Sequence, residues 1–388
     1  MNVLVMGNFL YPHGMAGTKR VQHFIDYLQK QEANVRVLLL RQGGTKIPIN
    51  ELEGYFNGVY YVTIGNSIQF AALILLKILV FFVKGTSLII KWREWHSNNI
   101  LYVYGGPNLE NIWFVIVAKL IGYKIVFDVV EDYSVDTGNK TVATNLKIKS
   151  MLWLESYMHF IANGIVVIST HLKKKYDNIV QHCVPVVMIP VSATVAGVPE
   201  KRTYNTQIRI VYSGSFGDKD GVDILIKAFK EACKFDGHVR LFLTGKGDKT
   251  NIDRIKNVIA DNPSITYLGY LDDETFYDFI KCADILCMTR IETQFANAGF
   301  PFKLGEYLAT GNPVVASDIG DVSHYLVNMK DAVLVRPGDS DELKQAIKYL
   351  INHPTEGIQI GEAGRIKCSQ YFNPEINARM LVDLLCSL

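Results

Sequence analysis

The stretch "FPFKLGEYLATGNPVVAS", Phe300 to Ser317, holds three elements in one run. An aromatic–proline entry opens it, a helical segment carrying Lys303 and Glu306 follows, Gly311 stops the helix, and the apolar Val314–Ala316 reads as a strand. A loop–helix–strand succession is the building unit of a parallel α/β sheet. Lys303 and Glu306 stand three residues apart and so share a helical face just past a Gly-Phe-Pro turn.

Outward from there, short apolar β-rich runs alternate with helical patterns along the whole chain. The first half offers "NVLVMG", "NVRVLLL", "NILYVYG", "KIVFDVV" and "GIVVIS". A second series starts afresh with "IRIVYSG", "VRLFLTG", "ITYLGY", "ADILCMT" and "NPVVAS". Between them "ATVAGVPEKRTYNTQ", Ala193–Gln207, is polar and aperiodic and reads as a linker. The pattern predicts an α/β chain of two Rossmann-like, doubly wound domains, 1–200 and 201–370, with a closing helix over about 371–388 returning to the first. Ligands of such sheets bind at the C-terminal ends of strands, here in the cleft expected between the domains.

The length of 388 residues suits two domains, and 49% hydrophobic with 20% charged residues suits sizeable cores. Residues 1–200 carry 18 Lys+Arg against 13 Asp+Glu, and the remainder 22 against 25. A basic first half points to an anionic partner such as a membrane surface or a phosphorylated substrate. Nucleic acid is not expected, because no basic stripe interleaved with aromatics appears. The six cysteines form no CxxC pair and read as free, mostly buried thiols of a reducing cytoplasm. "MNVLVMG" opens as a strand, so no secretory signal is expected. One segment breaks the alternation: "IQFAALILLKILVFFV", Ile68–Val83, is apolar nearly all round. Sixteen residues of helix reach ~24 Å, short of the ~30 Å of a hydrocarbon core. It reads as a buried core helix of the first domain. The sharper alternative is a membrane-interface helix, supported by Lys84, Lys91, Trp92, Arg93 and Trp95 just after it.

Two loops suit phosphate. "GNFLYPHGMAGTKRV" follows the first strand and includes His13 and Gly17, but the GxGxxG fingerprint of dinucleotide binding is absent. "YSGSFGDKDGVDILIKAF" opens the second series, with Ser215 in the turn and Lys219 just before a helix N-terminus. Asp218 and Asp220 spell DxD, yet on a strand–helix turn, and no metal site is expected.

These blocks, with "LTGKGD", "YLGYLDDETFYDFIKCADI", "MTR" and "GFPFKLGEYLATGNPVVAS" in that order, resemble the retaining glycosyltransferases of family 4, of GT-B architecture. The likeness is strongest in the second domain; "FDVVEDYS" and the closing "YFNPEINARMLVDLLCSL" extend it more loosely. It implies that Glu306 accepts hydrogen bonds from the donor ribose and that Arg290, Lys303 and Lys219 neutralise a leaving diphosphate. It further implies donor contacts from Gly17, Ser215, Asn297, Ala298, Gly299 and Phe300, with the base held near Gly269 and Tyr270. Many members carry Glu where Ala298 stands and Arg where Ser215 stands, which leaves the donor sugar open. On the acceptor side Asp128, Glu131 and Asp132 end a first-domain strand. Either they bind or deprotonate the acceptor hydroxyl, or they merely cap and solvate a loop. The expectation is a metal-independent hexosyltransferase acting in polysaccharide or glycoconjugate synthesis. It would use no cofactor beyond its nucleotide-diphosphate sugar, act on a glycan or lipid-linked acceptor, and be cytoplasmic, with an anionic membrane surface as a further partner. The alternatives are a nucleotide-sugar 2-epimerase of the same architecture or a binding protein without turnover.

Overall fold

A computed structural model describes residues 1–14, 16–41, 52–65, 74–132, 134, 142–194, 207–233 and 237–388. The chain divides into two compact units, Met1–Pro190 with Pro374–Leu388, and Val191–Asn373. The first boundary falls before the expected 200/201. The backbone N–H of Ala193 donates to the Phe372 carbonyl at 2.8 Å, and Gly305 packs against Val191 and Ala193, so these residues belong to the second unit. Most of the expected linker, 195–206, lies outside the described residues.

The first unit holds an eight-stranded sheet of β1 (Asn2–Gly7), β2 (Asn34–Arg41), β3 (Glu53–Phe56), β4 (Val59–Gly65), β5 (Asn99–Tyr104), β6 (Lys124–Val129), β7 (Gly164–Val167) and β8 (Val186–Met188). Its order is β3-β4-β2-β1-β5-β6-β7-β8, and only the β3–β4 pair is antiparallel. The second unit holds a six-stranded, all-parallel sheet of β9 (Ile208–Ser213), β10 (Val239–Thr244), β11 (Ile265–Tyr267), β12 (Ile285–Met288), β13 (Val314–Ser317) and β14 (Val333–Val335), ordered β11-β10-β9-β12-β13-β14. Strands covered by helices on both faces must be apolar throughout, and β1, β7, β12 and β13 are buried along their whole length. The order reverses between β1 and β5 in one sheet and between β9 and β12 in the other, the positions where such sheets open a crevice for ligand.

Four strands add to the ten read from sequence. β3 and β4 form a hairpin closed by Asn57 and Gly58, both at positive φ (48° and 80°), the demand of a type I′ turn. β8 and β14 are three-residue runs. The helix Pro374–Ser387 places Ala378, Leu381, Leu384 and Leu385 in the first unit's core beside Val21, Phe24, Ile25 and Leu28 of the helix Ala16–Lys30. Each such leucine contributes roughly 1.5–3 kcal/mol of burial.

Several expectations are corrected. Of the apolar segment, Ile68–Leu73 lies outside the described residues, and the remainder belongs to a helix Ile74–Lys91. That helix is not core: Leu75, Leu76, Leu79, Val80 and Val83 are exposed, while Trp92, expected at a surface, is buried. Among the cysteines only Cys287 and Cys368 are buried; Cys183, Cys282 and Cys386 are exposed. Asp128 does not face a ligand space. It is fully buried against Arg20, whose Nε and Nη2 donate to its two oxygens at 2.8 and 2.9 Å, and the Tyr102 hydroxyl adds a third bond. Arg20 then spends its remaining donors on the carbonyls of Ile189 and Pro190. One ion pair thereby fastens the helix Ala16–Lys30, β5, β6 and the chain leaving β8.

Removing one partner of a buried pair strands the other charge, so Asp128→Ala is expected to cost about 3–5 kcal/mol. The double change Arg20→Met with Asp128→Leu is expected to cost less than Asp128→Ala alone. Trp92, Trp95, Trp113 and Trp153 all lie in the first unit, so urea unfolding followed by tryptophan fluorescence reads this unit and checks both values.

Candidate active site

In the second unit β9 ends at Ser213, and the chain turns through Gly214, Ser215, Phe216 and Gly217. It then enters a single 3-10 turn, Asp218–Asp220, before the helix Val222–Ala232. Asp220 organises this turn. Its carboxylate accepts from the Ser215 hydroxyl and from the Gly217 N–H, and its carbonyl accepts from the Thr289 hydroxyl at 2.8 Å. The Ile291 N–H donates to the Lys219 carbonyl at 3.1 Å, so the turn is stitched to the residues following β12.

Lys303 enters from the helix Phe302–Ala309. Its Nζ lies 3.6 Å from Asp220 Oδ1, donates to the Tyr212 hydroxyl at 3.0 Å, and sits 4.3 Å from the centre of that ring. The room for it exists because residue 214 is glycine: a Cβ there would lie 2.5 Å from Lys303 Nζ and 2.3 Å from the Tyr212 hydroxyl. The helix itself is held by Leu304, Tyr307 and Leu308 in the core, with the Tyr307 hydroxyl accepting from the Ser213 N–H at 2.7 Å. Arg290 follows β12, its backbone N–H donating to the Ser317 hydroxyl at 2.9 Å.

Lys219, Arg290 and Lys303 thus act on a single buried carboxylate. Burial works to raise Asp220, but Lys303, the Ser215 hydroxyl, Arg290 and Lys219 hold it below the usual carboxylate range. Burial pushes the Lys303 ammonium down to about 8; Asp220 opposes the fall, and Arg290 and Lys219 add to it. Among the described side chains, Lys303, Arg290 and Lys219 converge on the buried Asp220 at the reversal point of a parallel sheet and beside a helix N-terminus, an arrangement suited to an anion.

Glu306 lies one turn beyond Lys303, partly exposed, with Oε1 accepting from the Tyr277 hydroxyl at 3.1 Å. Gly269 follows β11, and its carbonyl accepts from the Thr244 hydroxyl at 2.7 Å and the Gly245 N–H at 2.9 Å. Tyr270 beside it is half exposed, with Lys246 Nζ 3.8 Å from its ring centre. Asn297 spends its side-chain oxygen on the Gly320 N–H at 3.2 Å. Ala298 is buried, and the Phe300 ring packs on Tyr325 and Phe372, so neither side chain faces solvent; Gly299 lies between them in extended backbone. The side chain of Asp218 lies outside the described residues. Among the described residues no group of three or more His, Cys, Asp or Glu is placed to hold a metal.

The first-unit candidates divide differently. Gly17 is required by Tyr104, whose hydroxyl would lie 2.6 Å from a Cβ at that position. Glu131 is exposed, and His13 stacks edge-on against Phe56. Asp132 is 2% exposed and both its oxygens are engaged: Oδ1 with Lys175 at 2.8 Å and with Ser134, Oδ2 with His171 Nε2 at 3.0 Å. Burial alone would raise its pKa, but bonds from Lys175, Ser134 and His171 outweigh it and bring the value to about 2. Both oxygens are thus engaged within the first unit, which favours the loop-capping alternative for Asp132 over a base toward an acceptor. Its work is to place Lys175, which also reaches Glu155 at 2.9 Å, and the half-exposed His171.

Sequence reading missed His171, Tyr212, Tyr277, Lys246, Thr289 and Ser317. A signal for the last two was present: a hydroxyl residue ends or follows β9, β10, β12 and β13 (Ser213, Thr244, Thr289, Ser317), where a strand hands over to a turn.

Residues 207–353 match the family described as Glycosyl transferases group 1. The phosphatidyl-myo-inositol mannosyltransferase of Mycobacterium leprae is 26% identical over 145 residues, 37% of either chain. The amylovoran biosynthesis glycosyltransferase AmsK of Erwinia amylovora is 24% identical over 182 residues, 46% of this chain and 44% of that one. The chain thus spans about two fifths of the length of the curated relatives it matches. In fold the likeness runs further. Sucrose-phosphate synthase from Thermosynechococcus elongatus superposes with a TM-score of 0.78 at 15% identity, covering 100% of this chain and 98% of that one. HepE of Anabaena, solved with UDP-glucose, superposes with a TM-score of 0.73 at 15% identity over 100% of both. The architecture is that of the GT-B glycosyltransferases.

Lys303 is charged below pH about 8 and loses its proton as pH rises through that value. Affinity for inorganic diphosphate, measured by calorimetry, is therefore expected to fall between about pH 7 and about pH 9. In Lys303→Gln the affinity is expected to start lower and to lose most of this pH dependence.

Proposed function

We propose that the protein is a retaining glycosyltransferase that moves a sugar from a nucleotide-diphosphate donor to a hydroxyl of a glycan or lipid-linked acceptor in polysaccharide or glycoconjugate synthesis. The carrying observation is the convergence of Lys219, Arg290 and Lys303 on the buried Asp220, with Glu306 one turn away on the same helix. HepE is a fold neighbour solved with UDP and UDP-glucose, and two sequence relatives are named as a phosphatidyl-myo-inositol mannosyltransferase and an amylovoran biosynthesis glycosyltransferase, which supports a nucleotide-sugar donor and a glycan or lipid acceptor.

In this reading Glu306 accepts from the ribose hydroxyls, and the Tyr277 hydroxyl on its Oε1 keeps the carboxylate oriented. Lys303, Arg290 and Lys219 hold the diphosphate. The bond from the anomeric carbon to the diphosphate oxygen breaks with its electron pair going to phosphate. The acceptor oxygen bonds to that carbon from the same face, and its proton passes to the departing phosphate oxygen. Charge grows on the diphosphate as it leaves, so cations already fixed by Asp220 and Tyr212 stabilise the transition state more than the ground state. The three side-chain cations do what a metal would do elsewhere, and we propose metal-independent transfer on that ground.

Glu306→Ala is expected to weaken donor binding by roughly 1.5–3 kcal/mol, the value of hydrogen bonds to a charged group, with the ligand-free melting temperature nearly unchanged. Arg290→Ala and Lys303→Ala are expected to lower turnover more than affinity, and chelator is expected to change neither. A thermal-shift panel of UDP-, GDP- and ADP-sugars selects the donor first, because bound donor raises the melting temperature by mass action. Calorimetry and nucleotide release then measure the variants. Unchanged affinity and turnover in Glu306→Ala would remove the ribose assignment.

A further inference from the structure

The first unit carries a surface that glycosyl transfer does not require. Along the helix Ile74–Lys91, Leu75, Leu79 and Val83 recur every fourth residue and stand open to solvent, Leu75 at 79% exposure. The neighbouring helix Ile112–Leu120 repeats the pattern with Trp113, Ile116 and Leu120, the last 80% exposed. A third stretch adds Trp153 of the helix Val142–Glu155 and Phe160 of the short helix Met158–Ile161, at 61% and 68%. The three form a joined platform. Phe82 meets Trp113 edge-on at 6.1 Å, Trp113 Nε1 donates to the Thr86 hydroxyl at 3.0 Å, and Lys119 Nζ donates to the Ile161 carbonyl at 2.8 Å. A monomeric protein seldom leaves so much contiguous apolar surface open without use.

The charges on these helices settle what the surface fits. They carry Lys77, Lys84, Lys91, Lys119, Lys147 and Lys149. The acid on them, Glu155, is buried and bound to Lys175 and the Tyr176 hydroxyl. Apolar ridges fringed by ammonium groups, with interfacial tryptophans and, among the described residues of these helices, no exposed carboxylate, match the boundary of an anionic bilayer: acyl chains take the leucines, phosphate headgroups take the lysines. No helix among the described residues is long and apolar enough to cross a membrane. We propose that this platform seats the protein on an anionic lipid surface. The inference stands apart from the reading of the second unit and is tested without turnover.

The full chain is sedimented with vesicles of phosphatidylcholine alone and with about one-third phosphatidylglycerol, at low and high salt, with iodide quenching of tryptophan as a second readout. Binding to the anionic vesicles at low salt is expected, falling steeply with salt, with Trp113 and Trp153 shielded from iodide in the bound state. Leu79→Asp with Leu120→Asp, and separately Lys84→Glu with Lys147→Glu and Lys149→Glu, are each expected to lower partition by about tenfold or more. UDP affinity and the urea midpoint are expected to stay at wild-type values. The charge variant tests the idea even where the apolar one fails to fold. Absence of binding to anionic vesicles at low salt, unchanged binding in the charge variant, or a stable dimer that shields these tryptophans without lipid would each overturn the proposal.

Discussion

A buried carboxylate on which three cations act is the constraint on which the second unit's site rests. Asp220 is 3% exposed, and its side chain and carbonyl bind the turn after β9 to the residues after β12. Leaving water is costly for Asp220 unless cations accompany it, and leaving water is costly for Lys303 unless an anion does. Each is the other's solution, and the geometry that brings them together also fixes Lys303 beneath Gly214. Burial leaves Lys303 short of negative charge, with its proton held only to about pH 8. An anion placed beside Lys303 would oppose that loss of its proton, so protonation and anion affinity at this site are linked.

The first unit shows what the same residue types do when their charges balance. Asp128 meets Arg20 in a two-pronged pair with Tyr102 as a third donor, and Arg20's other donors end on carbonyls. No charge is left over, and nothing is offered to a ligand. Asp132 is likewise saturated by Lys175, His171 and Ser134. Both aspartates end or follow the strand β6, the position where catalytic groups of such sheets collect, yet their partners consume them. Position at a strand end is therefore a weaker guide to chemistry than the local count of donors and acceptors. By that count Asp220 differs from both, since Lys219, Arg290 and Lys303 all act on it.

How much of this was readable beforehand depends on the range of the interactions. Parallel strands buried on both faces declare themselves as apolar runs ending in Gly or a hydroxyl residue, so β9, β10, β12 and β13 were legible. Lys303 and Glu306 were legible because one helical turn relates them. The three-residue strands β8 and β14 were too short to stand out, although the β3–β4 hairpin had its signal in Asn57-Gly58. Arg20 and Asp128 lie 108 positions apart and Lys303 and Tyr212 lie 91 apart, and no periodicity reports contacts at that range. The helix Ile74–Lys91 failed for a different reason. An apolar helix read in isolation implies burial, because hydropathy records what a side chain avoids and not what covers it.

That failure bears on how the two units divide their work. The family match runs through residues 207–353 and stops inside the second unit, where the turn after β9, the end of β12 and the helix Phe302–Ala309 must meet one shared ligand chemistry. A Cβ at position 214 would meet the Lys303 ammonium and the Tyr212 hydroxyl. The first unit is held to its fold by different means, an internal ion pair and a borrowed C-terminal helix, and both lie in the interior. Its outer helices pack inward through Gly85, Ile89, Phe114, Val115 and Ala118, which leaves their outer faces open to carry other side chains. Lysines and bare leucines on the same helices are such side chains. They contribute nothing to the core that Arg20 and Asp128 hold together, and their cost in exposed apolar area is recovered only when something covers them.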